Sequence, residues 1–168
     1  MNNLYRAARE RQHPVVNELR ITPYQGVTGI ALGSARGSVL QHAKPSATRK
    51  NRYSPGVTDF YADLGIQLCF VQQGKHAEGD LLLKEISLRQ GCGRLMLEHL
   101  NVFAAHADDV FDFLETHDPN FKDIVGMVFL PKFGLSICGF GNEGDDNEGN
   151  DKSVTVYAKD WFDAAFDG

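Results

Sequence analysis

Leu81-Leu82-Leu83-Lys84-Glu85-Ile86-Ser87-Leu88-Arg89-Gln90-Gly91-Cys92-Gly93-Arg94-Leu95-Met96-Leu97-Glu98-His99-Leu100 is an apolar run that breaks at two glycines and starts again. Residues 81–88 have the length and apolar content of a buried strand. Leu95, Leu97, Leu100, Phe103 and Ala104 follow the glycines at roughly helical spacing. The expectation is strand, tight turn, helix. The first N–H groups of a helix lack partners within it and carry the positive end of its dipole. Glycine lets the backbone approach a bulky anion. The turn from Arg89 to Arg94 would then offer the amides of Gly91, Cys92, Gly93 and Arg94, with two guanidinium groups beside them, to a phosphate or pyrophosphate. The competing reading is a chain that needs two glycines only in order to turn.

Working outward, 168 residues fit a single domain with one core. Hydrophobic residues at 42% and charged ones at 23% are ordinary globular usage and exclude a wholly disordered chain. No apolar run approaches the roughly 18 residues of a membrane span, and Met1-Asn2-Asn3-Leu4-Tyr5-Arg6 lacks the apolar core of a signal peptide. A cytoplasmic protein without a membrane partner is expected. Cys69, Cys92 and Cys138 form no C-x-x-C pair and read as reduced core thiols, and the six histidines show no metal-ligand spacing. Residues 1–55 carry nine Lys and Arg against two acids, and the rest carries eight against twenty. The basic third could meet nucleic acid or an acidic partner, or neutralise the remainder of the chain.

In chain order, residues 1–13 read as an arm or short helix. Strands are expected within 14–23 and 26–33, then a basic loop at 34–55 with little regular structure beyond a short helix near 38–43. Residues 57–64 are a short helix or the start of a strand. Residues 66–72 are a buried strand that forms a hairpin with 81–88 through the polar turn 73–80. Residues 108–116 fit strand or helix, 121–133 alternate as a helix, 135–140 as a strand, 153–157 as a strand and 159–166 as a closing helix. The acidic, apolar-free segment 141–151 reads as a mobile loop.

From residue 66 this order resembles the Gcn5-related N-acetyltransferase (GNAT) superfamily, on Arg89-Gln90-Gly91-Cys92-Gly93-Arg94-Leu95-Met96-Leu97-Glu98-His99-Leu100, on Asn120 with Val128-Phe129-Leu130-Pro131-Lys132-Phe133-Gly134-Leu135, and on Val154-Thr155-Val156-Tyr157-Ala158-Lys159-Asp160-Trp161. The similarity covers about residues 66–162. It implies a single α/β domain over 14–168 with a mixed, mainly antiparallel twisted sheet flanked by helices. It also implies acetyl-CoA as co-substrate, held by Leu88, Arg89, Gln90, Gly91, Cys92, Gly93, Arg94 and Asn120. Leu88 stands three before Gly91, where the family pattern has Arg or Gln. Leu130 stands where many members carry the acid tyrosine.

Direct acetyl transfer to an amine needs a base, a donor to the thioester oxygen and an acid for the thiolate. Glu85, a carboxylate in an apolar strand, is the candidate base. Tyr157 is the candidate acid, with Tyr61 as a substitute, and Cys92 at a helix N-terminus would have a lowered pKa. A small-molecule or protein amine is the implied acceptor, and a homodimer is left open. The alternative is a catalytically inactive GNAT-like or other α/β binding protein that contacts nucleic acid or a protein through the basic third, with Arg49, Lys50 and Arg52 as its cluster.

Overall fold

The computed structural model describes residues 18–73, 81–140 and 152–166. Its elements fall into two successive sets of the same kind. The first is β1 (Glu18–Thr22), the small hairpin β2 (Gly26–Val27) and β3 (Ile30–Ala31), helix α1 (Arg36–Leu40), then β4 (Ala47–Lys50), β5 (Gly56–Tyr61), β6 (Ile66–Gln72) and β7 (Leu81–Arg89). The second is β8 (Arg94–Leu97), β9 (Leu100–Asn101), helix α2 (Ala107–His117), then β10 (Lys122–Ile124), β11 (Met127–Leu130), β12 (Leu135–Cys138) and β13 (Ser153–Tyr157). Helix α3 (Lys159–Phe166) closes the chain.

The two sets share two sheets. The larger runs β10-β11-β12-β13-β7-β6-β5-β4, each half being the mirror of the other in strand order, and is antiparallel throughout. The smaller runs β3-β2-β1-β8-β9, with β1 and β8 parallel. The repeat is also written in residues: Phe60-Tyr61-Ala62-Asp63-Leu64-Gly65-Ile66-Gln67-Leu68-Cys69 against Phe129-Leu130-Pro131-Lys132-Phe133-Gly134-Leu135-Ser136-Ile137-Cys138. Gly65 and Gly134 turn the two hairpins in the left-handed region at φ 62° and 63°, where a side chain would be strained. Their carbonyls accept equivalent 2.9 Å bonds from the amides of Arg89 and Tyr157.

Strand alternation divides the large sheet into two faces. Leu68, Phe70, Leu83, Ile86, Leu88, Leu135, Ile137, Val154 and Val156 are buried toward α1, α2 and the small sheet. Each fully buried Leu or Ile contributes about 2 kcal/mol of transfer free energy. Gln67, Cys69, Glu85, Ser87, Thr155 and Tyr157 alternate with them and lie half-buried on the opposite face.

The α/β class with a mixed, mainly antiparallel sheet stands, as do the β6–β7 hairpin, the strands at 135–138 and 153–157, and the helix at 159–166. Residues 108–116 fall within α2. Three expectations are corrected. No helix follows the glycines: Leu95, Met96 and Leu97 are all buried, a continuous apolar run that fits a strand covered on both sides, and β8 lies beside β1. Residues 121–133 form the β10–β11 hairpin, because Val125 and Gly126 take positive φ of 53° and 80° and reverse the chain. The basic segment 34–55 is not irregular: it carries α1 and the edge strand β4, and its helix begins at Arg36.

The strand expected over 26–33 is the β2–β3 hairpin. Residues 57–64 continue β5 into a single 3₁₀ turn, Ala62–Leu64. The arm at 1–13 and the acidic loop at 141–151 lie outside the described residues, as does most of the turn at 73–80. Among the described residues no helix is long and apolar enough to cross a membrane.

Candidate functional site

Of the four amides expected in the turn after β7, that of Cys92 is engaged within the turn itself, and the two residues before them are bonded as well. Arg89 N–H donates to Gly65 O at 2.9 Å, Gln90 N–H to Lys152 O at 3.1 Å and Cys92 N–H to Arg89 O at 3.1 Å. Gly91 and Gly93 both have φ of 108°, which accounts for the glycines by backbone geometry alone. The Leu88 side chain is fully buried in the core. Arg94 lies 3.7 Å from Glu18. Burial pushes the Cys92 thiol up to about 11, opposite to the lowering expected at a helix N-terminus. Asn120 is exposed between α2 and the edge strand β10, four strands from β7, so it does not join the turn.

Glu85 and Tyr157, by contrast, are brought together: they are direct partners across β7 and β13. Glu85 Oε1 accepts a 2.5 Å bond from Trp161 Nε1 of α3, and burial raises its carboxyl above the usual range. The Tyr157 hydroxyl shares a 2.9 Å hydrogen bond with Ser136 Oγ, and burial followed by the nearby Glu85 charge raises its pKa. On the other side of Glu85, its partner Cys69 has a thiol pushed up to about 11, by burial first and then by the Glu85 charge. Cys69, Cys92 and Cys138 are free thiols. A hollow of about 270 Å³ opens here, lined by Glu85, Cys69, Trp161, Thr58, Asn51, Ser54, Arg52 and Tyr53.

Tyr61, the substitute acid, belongs elsewhere. It is buried on the opposite face, its hydroxyl near Ala43 O at 3.4 Å and its pKa pushed up to about 12 by burial. It lines a cavity of about 1070 Å³ between the large sheet, α1 and the β1–β3 strands. The floor is Ile66 and Leu68, the roof Val27 and Ile30, and Arg20, His42, Lys44 and Asp63 stand among its polar groups. Arg20 is fixed by bonds to Glu98 O at 2.7 Å and to Glu18 at 2.9 Å.

The cavity arises from a difference between the repeats. Helix α2 buries Ala107, Val110, Phe113 and Leu114, and Phe113 lies 6.2 Å from Phe133. Helix α1 buries none of its residues. Counting from extended N-caps at Ala35 and His106, His42 and Ala43 stand where the second repeat has Phe113 and Leu114. Leu64 stands where it has Phe133. Side-chain volume that fills the second half is missing from the first.

This cavity was not foreseen from the sequence. The available signal was His42-Ala43 and Leu64 against Phe113-Leu114 and Phe133, which is visible only once the repeat is aligned. The cluster of Arg49, Lys50 and Arg52 does not converge on the cavity. Arg49 stacks over Phe60 at 5.3 Å and Arg52 over Tyr53 at 6.0 Å. Comparison of the chain with protein-family models, with curated proteins and with solved structures finds no match.

Proposed function

We propose that the chain is a binding protein that holds a small amphipathic molecule in the cavity of its first repeat. The observation that supports this is the pairing of an unfilled interior in one half with a filled one in the other. A cavity with apolar walls and a few grouped polar side chains is the usual form of a small-ligand site. Val27, Ile30, Ile66 and Leu68 suit an apolar body. Arg20, His42 and Lys44 supply donors for an acidic head group, with Arg20 already paired to Glu18 at 2.9 Å and Asp63 the carboxylate in the lining.

The test is titration with a medium-chain fatty acid, read by calorimetry, on the parent and on His42→Phe/Ala43→Leu, which copies the second repeat. Saturable binding by the parent, lost in a variant of equal or higher melting temperature, is the expected result. Equal binding by both, or none by the parent, overturns the reading.

A second reading is acyl-CoA-dependent transfer to an amine. The direct pairing of Glu85 with Tyr157, a desolvated carboxyl beside a phenol, favours it. Acetyl-CoA titration addresses it: binding that is lost in Gly93→Glu supports transfer, and no binding by the folded protein removes it.

A further inference from the structure

We propose that the hollow at Glu85, on the face of the large sheet opposite the cavity, binds a primary ammonium group. Glu85 is half-buried, and its carboxylate receives one neutral hydrogen bond, from Trp161. Among the described residues no Lys or Arg pairs with it. The neighbouring Lys84 is committed to Asp160 at 2.6 Å. A carboxylate withdrawn from water without a counter-charge is costly, and a cation that enters beside it offsets that cost.

The surroundings select the kind of cation. Thr58 Oγ1 donates to Asn51 Oδ1 at 2.8 Å, which leaves each of these two lining oxygens a lone pair for an ammonium donor. Tyr53 and Trp161 contribute aromatic walls, and Arg52, the cation in the lining, rests over the Tyr53 ring at 6.0 Å. The hollow of about 270 Å³ admits a short alkylammonium, either a free amine or the end of a lysine side chain.

Trp161 is the sole tryptophan, so its fluorescence reports directly on the Glu85 hydrogen bond. The experiment titrates the protein at neutral pH with n-butylamine, with N-acetyl-lysine methylamide and with n-butanol as the uncharged control. The expected result is a saturable change with the amines and none with the alcohol. Calorimetry on Glu85→Gln should show amine affinity weakened by about tenfold or more. Tyr53→Ala, at a position 91% exposed and therefore harmless to folding, should weaken it as well. Tighter binding of the lysine derivative assigns the site to a polypeptide lysine, and tighter binding of n-butylamine assigns it to a free amine. No saturation with either amine, an equal response to n-butanol, or unchanged affinity in both variants overturns the proposal. His42→Phe/Ala43→Leu should leave amine binding intact, so the two sites succeed or fail separately.

Discussion

The hydroxyls of Ser87 and Thr155 lie 3.0 Å apart on directly opposite residues of β7 and β13. They are equivalent positions of the two repeats, since Leu88 pairs with Ile66 as Val156 pairs with Leu135. The local two-fold axis of the large sheet therefore runs between them. A row of register partners extends symmetrically from this point, Gln67 and Phe60 to one side and Ser136 and Phe129 to the other. Removing one hydroxyl leaves its partner half-buried without its bond, whereas removing both leaves no orphan. Ser87→Ala or Thr155→Val should each cost about 1 kcal/mol, and the double variant less than the two together. Urea unfolding of the four proteins closes the cycle.

Arg36 and Asp59 provide a second comparison between the halves. Asp59 is fully buried and receives Arg36 Nε at 2.8 Å, a second guanidinium bond at 2.9 Å and the Thr48 hydroxyl at 2.6 Å. The equivalent positions in the second repeat are Ala107 and Val128, both buried and apolar. Arg36→Ala alone should cost about 3–5 kcal/mol by stranding the Asp59 charge, while Arg36→Ala/Asp59→Val should recover most of that loss. Denaturant midpoints at constant slope decide the matter.

The raised pKa of Glu85 has a definite sign for stability. Its folded value lies above its unfolded one because burial disfavours the charged form. Its favourable contribution is therefore present in acid, below the unfolded value, and is lost as pH rises through the folded value. Glu85→Gln should raise the melting temperature at neutral pH and lose that advantage toward about pH 4. A variant less stable than the parent at neutral pH would contradict this.

Val125 occupies the first position of the β10–β11 turn with φ of 53° and is fully exposed. A β-branched residue there is strained, while Asn is well suited to it. Val125→Asn should stabilise the protein by about 1 kcal/mol, measured as an upward shift of the thermal midpoint.

The two hairpin glycines should differ under the same substitution. A Cβ at Gly65 would meet nothing closer than 3.5 Å, so Gly65→Ala carries only the left-handed penalty of about 1–2 kcal/mol. At Gly134 it would overlap the ring of Tyr24, whose hydroxyl donates to Pro131 O, so Gly134→Ala should cost distinctly more. Melting temperatures of the two variants give the order.

The central hairpin, β12, β13 and α3 were legible because alternation, length and turn residues agreed there. At 94–104 the apolar residues fitted two periods, and only the partner strand β1, distant in sequence, selects one. At 121–133 the turn residue is Val125, which carries no turn signature, so Ile124, Val125, Val128 and Phe129 passed for a helical stripe. Glu85 stood out as a carboxylate among apolar neighbours, and the structure sets Tyr157 opposite it. The cavity is defined by absent volume, which a single sequence expresses only against its own second half.

The parallel pairing of β1 with β8 and the pairing of β7 with β13 bear on how the chain is made. As the polypeptide leaves the ribosome, its first half emerges with two strand edges, β1 and β7, whose partners have not yet been synthesised. Contacts of such long sequence separation form late and slowly. Until β13 emerges, the nascent chain exposes open hydrogen-bonding edges, the condition under which an unfinished sheet is most prone to pair with a neighbour.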